Sequence, residues 1–435
     1  MQPATASFGI PSGVLASLAR TRPAPADLRL LHAGLHSRRL VLLRSLLTRA
    51  ERHAVPPSVL QRLDEHWRLL ERAEARDPIA VRRALAYPSV GNWLLRTLST
   101  PGGDPAAFEN SLGGLGALAA AVALRTGTGF RTTLPAPGGR LALPGIGVYD
   151  AHATQVRVVA GPRSLRLTPG DRRSGTVLHA PYTRATGAGW YGLRSLPGSG
   201  AVLDDLDPYR AGTAPVGRFP SPATTGGRGR GRARAWTARW AGALMLLGSA
   251  DPARRAELLS LVRSVVPLAG TPGGTCSGTL RSAPWAVLTE LPGSATEMTT
   301  VLVHEVQHSK LAVLCDLTPL HHAEGAPVHH VPWRADARPL DAVLQGTYAH
   351  LALADLWYRI ADRRGAVPAT RRQARARCED YREQVAHALT VLRTSGELTV
   401  AGREFTEGMA GHLVSLRGAP APCRPVPPPL GSDVK

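Results

Sequence analysis

The string HEVQH places two histidines, His304 and His308, four residues apart inside an apolar run. On a helix that spacing projects both imidazoles from one face, one turn apart, so that they can converge on a single cation. Glu305 would stand close to the open position of a divalent metal held there, which makes it the candidate catalytic residue. The plainer alternative is two hydrogen-bonded core histidines beside a surface glutamate.

The surroundings predict the helix that this chemistry needs. Ser294 can cap its start, Glu297 stands three residues on as in a capping box, and no Pro or Gly interrupts Ala295 to Leu317. Val301, Leu302, Val303, Val306, Leu311, Val313 and Leu314 make it apolar on most sides, so it is expected to be buried. Polar groups left unpaired in a core cost about 1–3 kcal/mol each, so the imidazoles and Glu305 need compensation, which a metal supplies.

A protein-held zinc or iron takes at least three protein ligands as a rule, so the third one decides the chemistry. The metzincin pattern HExxHxxGxxH would need Gly and His where the chain has Leu311 and Leu314. A thermolysin-like site needs a glutamate on a second helix, whereas the nearby Glu324 sits in a Gly/Pro loop. His350 is the preferred third ligand, because Leu344 to Arg359 reads as an apolar helix that would bury its imidazole. Asp341, Asp355 and the loop histidines His321, His322, His329 and His330 compete with it. A single Glu-x-x-His pair, Glu305 with His308, argues against a dinuclear carboxylate site. Arg334 and Arg338, four residues apart beside Trp333, could grip a dicarboxylate cosubstrate bidentately, or be ion-paired to Asp336 and Asp341.

With 435 residues the chain can form two or three domains. The net charge of +20 rests almost wholly on arginine, with lysine only at Lys310 and Lys435. Together with abundant Ala, Gly, Pro and Leu this reads as coding bias, so nucleic acid is not the expected partner. Cys276, Cys315, Cys378 and Cys423 lack disulfide or zinc-ribbon spacing. No signal-type start and no run of membrane-span length stands out, and the expectation is a cytoplasmic protein without membrane contact.

The predicted architecture is α+β and predominantly helical. A helical N-terminal region covers 1–129, where leucines recur at helical spacing and a PSVGNW corner, Pro88 to Trp93, turns the chain. A β-rich middle covers 130–215, with Gln155 to Val159 and Ser164 to Leu167 as a hairpin and Arg140 to Leu143 as an edge strand. A helical metal-binding region covers 216–417, and residues 418–435 form a disordered tail. LDDLDPYR, Leu203 to Arg210, is expected to serve structure, with its acids pairing to Arg210. The GRGRGRAR tract, Gly227 to Arg234, is expected to be a solvated loop before a helix from Trp236 to Leu247. Further helices are expected over Pro252 to Val266, Leu340 to Arg359, Pro368 to Thr394 and Glu404 to Leu416, with a loop from Asp316 to Pro332.

The combination LDDLDPYR, VLVHEVQHSKLAVLCDLTPL and PWRADARPLDAVLQGTYAH, followed by Trp357, resembles the actinobacterial HExxH-motif peptide-modification proteins, regarded as iron- and 2-oxoglutarate-dependent peptide β-hydroxylases acting on ribosomally made, post-translationally modified peptides. The similarity spans most of the chain and is most specific in its last third. It implies Fe(II) on His304 and His308 with His350 as third ligand, 2-oxoglutarate gripped by Arg334 or Arg338, and a precursor peptide as substrate. Glu305 would then lie behind the ligands, or be a ligand itself, rather than activate water. Two departures are Ala337, where the family pattern has Pro, and the segment Cys276 to Leu280, which is usually richer in serine. A zinc metallopeptidase with Glu305 as general base is the alternative, followed by a non-catalytic peptide-binding protein with a structural metal.

Overall fold

The computed structural model describes residues 10–53, 55–170, 172–212, 229–270, 276–322 and 325–416. The expected tail at 418–435, Glu324, Cys423 and the first two residues of GRGRGRAR lie outside them. The described residues form an α+β, predominantly helical protein, as its composition and periodicity predict.

Six helices come first: α1 (Ser12–Ala19), α2 (Pro25–Arg52), α3 (Pro57–Arg76), α4 (Pro78–Leu85), α5 (Pro88–Leu98) and α6 (Pro105–Thr126). Five of them, α2 to α6, begin with proline, whose fixed φ suits a first helical position that needs no N–H. Asp77 and Asp104 cap α4 and α6 through their side chains, and Gly127, at φ 66°, ends α6 in the left-handed conformation.

Nine strands follow: β1 (Phe130–Pro135), β2 (Arg140–Leu143), β3 (Gly147–Asp150), β4 (Gln155–Ala160), β5 (Ser164–Pro169), β6 (Thr176–His179), β7 (Trp190–Gly192), β8 (Arg194–Ser195) and β9 (Val202–Leu203). β1, β4, β5 and β6 make an antiparallel sheet in the order β1-β4-β5-β6, and β2-β3-β7 make another. The hairpin expected from the alternation of Gln155 to Val159 and Ser164 to Leu167 is the β4–β5 pair.

The remaining elements are α7 (Arg230–Ala250), α8 (Pro252–Leu261), β10 (Ser264–Pro267), β11 (Ser277–Gly278), β12 (Ala286–Thr289), α9 (Ala295–Leu317), β13 (His329–Val331), β14 (Arg334–Arg338), α10 (Leu340–Asp362), α11 (Pro368–Thr394) and α12 (Val400–Ser415). β10 runs parallel to both β9 and β12, inside a five-stranded sheet ordered β11-β12-β10-β9-β8.

Four expectations need correction. The arginine–glycine tract is not all loop, because α7 already starts at Arg230; alternating Arg and Ala are good helix formers and outweigh Gly231. The helix from Pro252 stops at Leu261, and Val265 and Val266 belong to β10, buried on both faces as parallel strands are. Such a short apolar run carries no period that separates helix from strand. The segment from Asp316 to Pro332 is not all loop, since α9 extends to Leu317 and β13 occupies its far end. Finally, α6 has 22 residues and is long and apolar enough to cross a membrane; most of it is buried inside the protein.

Hydrophobic packing cuts across the expected regions. One core joins α1 and the first half of α2, through Leu15, Leu18, Leu28, Leu31 and Leu35, to α7 through α12. A second core joins the latter half of α2, from Leu43, to α3 through α6 and to the inner faces of the two antiparallel sheets. Thus α2 spans both.

Candidate metal centre

Ser294 caps α9 as the sequence predicts: its Oγ accepts from the Glu297 N–H at 3.0 Å, and the Glu297 carboxylate accepts from the Gly293 N–H at 2.8 Å. The helix runs unbroken to Leu317 and is buried on most sides. It delivers His304 and His308 to one place, with their Nε2 atoms 3.0 Å apart and their rings 4.6 Å apart at 80°. Two metal–nitrogen bonds of about 2.0–2.1 Å spread by 90–109° bring their nitrogens to roughly that separation.

α10 contributes the other two groups. Its Gln345 Oε1 accepts from His308 Nδ1–H at 2.9 Å, which fixes that ring's tautomer and leaves its Nε2 as an unprotonated nitrogen facing His304 Nε2. One turn and a half further on, the His350 ring centroid stands 5.8 Å from that of His304. Trp333 packs against His350 at 4.4 Å from the turn between β13 and β14, and Tyr381 of α11 packs edge-on at 5.2 Å.

Burial, and then the neighbouring His308, lower the pKa of His304 to about 4, although Glu305 acts the other way. Burial lowers that of His350 to about 3, with His304 and His308 adding to the effect and the Gln384 side chain opposing it. Both rings are therefore neutral at pH 7, the form that ligates metals. His350 Nδ1 is buried and has no hydrogen-bond partner among the described residues. Two imidazole nitrogens 3.0 Å apart, with a third imidazole near them, have the chemistry of ligands for a divalent cation. The convergence is incomplete: among the described residues no three His, Cys, Asp or Glu side chains already form a ligand cluster.

Glu305 points to a different neighbour. Ser277 donates to its Oε1 at 2.7 Å and Thr279 to its Oε2 at 2.8 Å, and the Thr279 hydroxyl also lies 3.1 Å from the Glu305 backbone carbonyl. Both carboxylate oxygens are thus engaged by hydroxyls at the edge of the five-stranded sheet, and the side chain is buried.

Competing ligands are disposed of in other ways. Asp355 is fully buried and ion-paired to Arg22, Arg254 and Arg359. His329 pairs with Glu397 at 2.8 Å, and His321 Nδ1 donates to the His322 carbonyl at 2.8 Å. The two arginines expected to grip a dicarboxylate lie on β14: Arg338 pairs with Asp336 at 3.0 Å, and Arg334 is exposed with no ion pair among the described residues. Neither hydrogen-bonds to the imidazole cluster.

Three features escaped the sequence reading. Gln345 and the Ser277/Thr279 pair act from segments 37 and 26–28 residues away from their partners, with no pattern to mark them. The third is an ionic network on another face of α9. Lys310 donates to Glu257 at 2.6 Å; Glu257 pairs with Arg254 at 2.5 Å; Arg254 reaches Asp355 at 3.4 Å; and Arg22 donates to Asp251 at 2.6 Å. A lysine inside an apolar helix of a nearly lysine-free chain was a signal that such a partner existed.

LDDLDPYR serves structure as expected, with Arg210 acting electrostatically on Asp204 and Asp207, and it makes further contacts that the sequence did not foretell. Tyr87 donates to Asp204 at 2.6 Å and Ser89 to Asp207 at 2.7 Å, while Asn92 donates to the Tyr209 carbonyl at 2.8 Å. The acids therefore fasten the PSVGNW corner, and Arg210 contacts the Asp207 carbonyl at 2.8 Å. No protein-family model and no curated protein matches the chain.

Proposed function

We propose that the protein is a peptide hydroxylase dependent on iron and 2-oxoglutarate. The observation that carries the choice over a zinc peptidase is the engagement of both Glu305 oxygens by Ser277 and Thr279. A general base must have an oxygen within reach of the water it deprotonates, and the Glu305 carboxylate, though it keeps further lone pairs, is held by both oxygens to the sheet edge.

His304 and His308 would hold the metal, with His350 as third imidazole. Iron bound there with 2-oxoglutarate supplies the oxidising power to hydroxylate an unactivated β-carbon. Gln345 orients His308, and Glu305 ties α9 to the sheet edge. Trp333 and Tyr381 flank His350 and would hold its ring in place. Arg334 is the better candidate for the cosubstrate carboxylate, since Asp336 already occupies Arg338.

Metal analysis of anaerobically purified protein, followed by a succinate-release assay with 2-oxoglutarate, tests the reading. Iron-dependent turnover of 2-oxoglutarate is expected. Zinc content with peptide cleavage and no cosubstrate requirement would replace it by the peptidase.

A further inference from the structure

The antiparallel sheet β1-β4-β5-β6 buries one face in the second core and leaves the other to solvent. Period-two alternation decides which side chains go where. Leu134, Val156, Val158, Leu165, Leu167 and Leu178 point inward, whereas Arg131, Thr133, Arg157, Arg166, Val177 and His179 are outward or partly so.

The register shows how the outward residues lie together. Arg131 is opposite Val159, Val159 opposite Arg166, and Arg166 opposite Val177, forming one continuous row across four strands. The adjacent row runs Thr133, Arg157, Thr168, of which Thr133 and Arg157 are exposed and Thr168 is buried. Arg157 is therefore diagonal to both Arg131 and Arg166, close enough for long side chains to share one ligand.

Ordinary solvent-facing sheets mix charges, since like charges on neighbouring strands destabilise. This face does not. From Phe130 to Trp190 the sequence has eight arginines against two acids, Asp150 and Asp171. Arg131, Arg157 and Arg166 are all exposed, and none makes an ion pair with another described residue. Coding bias explains Arg in place of Lys; it does not explain the missing acids.

We infer that this sheet face docks an acidic stretch of a peptide. Guanidinium forks match carboxylates, and Val159 and Val177 between them offer apolar footing for intervening side chains. Sheets that bind single-stranded nucleic acid stack bases on aromatic side chains, and the outward positions of these four strands carry no Phe, Tyr or Trp and a single imidazole, His179, on the edge strand, which disfavours that occupant. The identity of the peptide as the hydroxylase's own substrate rests on the function proposed above; the docking itself does not.

The test uses full-length, metal-free protein with a fluorescein-labelled deca-glutamate peptide, read by anisotropy at several salt concentrations. A labelled Gly-Ser peptide of equal length and a ten-nucleotide single-stranded DNA serve as controls. Saturable, salt-sensitive binding of the acidic peptide is expected, tighter than either control. The variant R131S/R157S/R166S should weaken it roughly tenfold, as exposed charge pairs contribute about two- to fivefold each. Because these side chains are exposed and unpaired, the variant should keep its thermal midpoint; should it not, the single R157S variant is expected to weaken binding two- to fivefold on an intact fold. Equal binding by wild type and variant, or tighter binding of the DNA, overturns the inference. Metal-free measurement separates the outcomes: lost succinate release with intact peptide binding condemns only the proposed chemistry, and the converse condemns only the docking face.

Discussion

Helix α9 carries buried polar groups in two places, and they are satisfied in opposite ways. At Lys310 every charge has a counter-charge: Glu257 lies between Lys310 and Arg254, and Asp355 receives Arg254, Arg22 and Arg359. At the imidazoles nitrogens face nitrogens, and His350 Nδ1 has no partner among the described residues. Burial depresses pKa in both places, taking Lys310 to about 8, His304 to about 4 and His350 to about 3. Glu257 opposes the shift at Lys310, as Glu305 does at His304, without cancelling it in either place. The ionic cluster is closed by its own charges, whereas the imidazoles, engaged in part by Gln345 and by one another, keep a nitrogen without a partner among the described residues.

The contrast predicts different responses to substitution. The largest should follow His308→Ala, which leaves one imidazole where two met. Metal content measured after purification should fall to background; retention at the wild-type level would place the metal elsewhere. The fold should survive, since no counter-charge is stranded.

Lys310→Met should do the reverse. Breaking a buried ion pair costs about 3–5 kcal/mol because the partner charge stays behind, so denaturant unfolding should shift strongly while the imidazole cluster keeps its residues. A shift no larger than that of a surface substitution would show that the network does not hold α8 to α9.

Titration sharpens the comparison further. In the network Glu257 and Asp251 are depressed below ordinary carboxylates despite burial, by Arg254 and Lys310 and by Arg22 respectively. Their stabilisation is present above the unfolded-state pKa near 4 and is lost as pH falls through the lower folded values. Asp207 has the opposite shift, raised to about 7 by burial and by Asp204. Its folded-state preference is complete below the unfolded pKa of 3.8 and is lost as pH rises toward 7. Asp207→Asn should therefore remove a decline of at most about 1.4 kcal/mol per pH unit between pH 4 and 7. Unfolding free energies with the same pH slope in variant and wild type would refute this.

Thr279→Val should cost about 1–3 kcal/mol by leaving one Glu305 oxygen without its donor, visible as a lower thermal midpoint. The smallest effect belongs to β14: Arg334→Gln should raise the 2-oxoglutarate concentration needed for half-maximal succinate release, and Arg338→Gln less so. Equal curves for both variants and wild type would move the cosubstrate grip off this strand.

How far the sequence revealed this depended on whether the deciding forces were local. The capped helix at Ala295–Leu317, the Pro-started helices and the β4–β5 hairpin are set by caps, breaks and period, all of which act over a few residues. The approach of His350 to His304 followed from a buried imidazole on a predicted helix. The Val265–Val266 strand depended on neighbours 62 residues before and 22 after it, β9 and β12, and no local rule supplies them. Likewise the pairing of Thr21 with Lys310, 289 positions apart, and the Ser277 and Thr279 donors arise from tertiary placement alone.

One contact has a consequence for synthesis. Gly408 of α12 lies so close to Ala19 of α1 that a Cβ added there would come within 2.6 Å of the alanine methyl. At translation speeds of about 5–20 residues per second, α1 waits roughly 20–80 seconds for the helix that covers it. Throughout that interval Leu15 and Leu18 lack part of their final packing on the nascent chain, so the first core closes only when the last helix has been made.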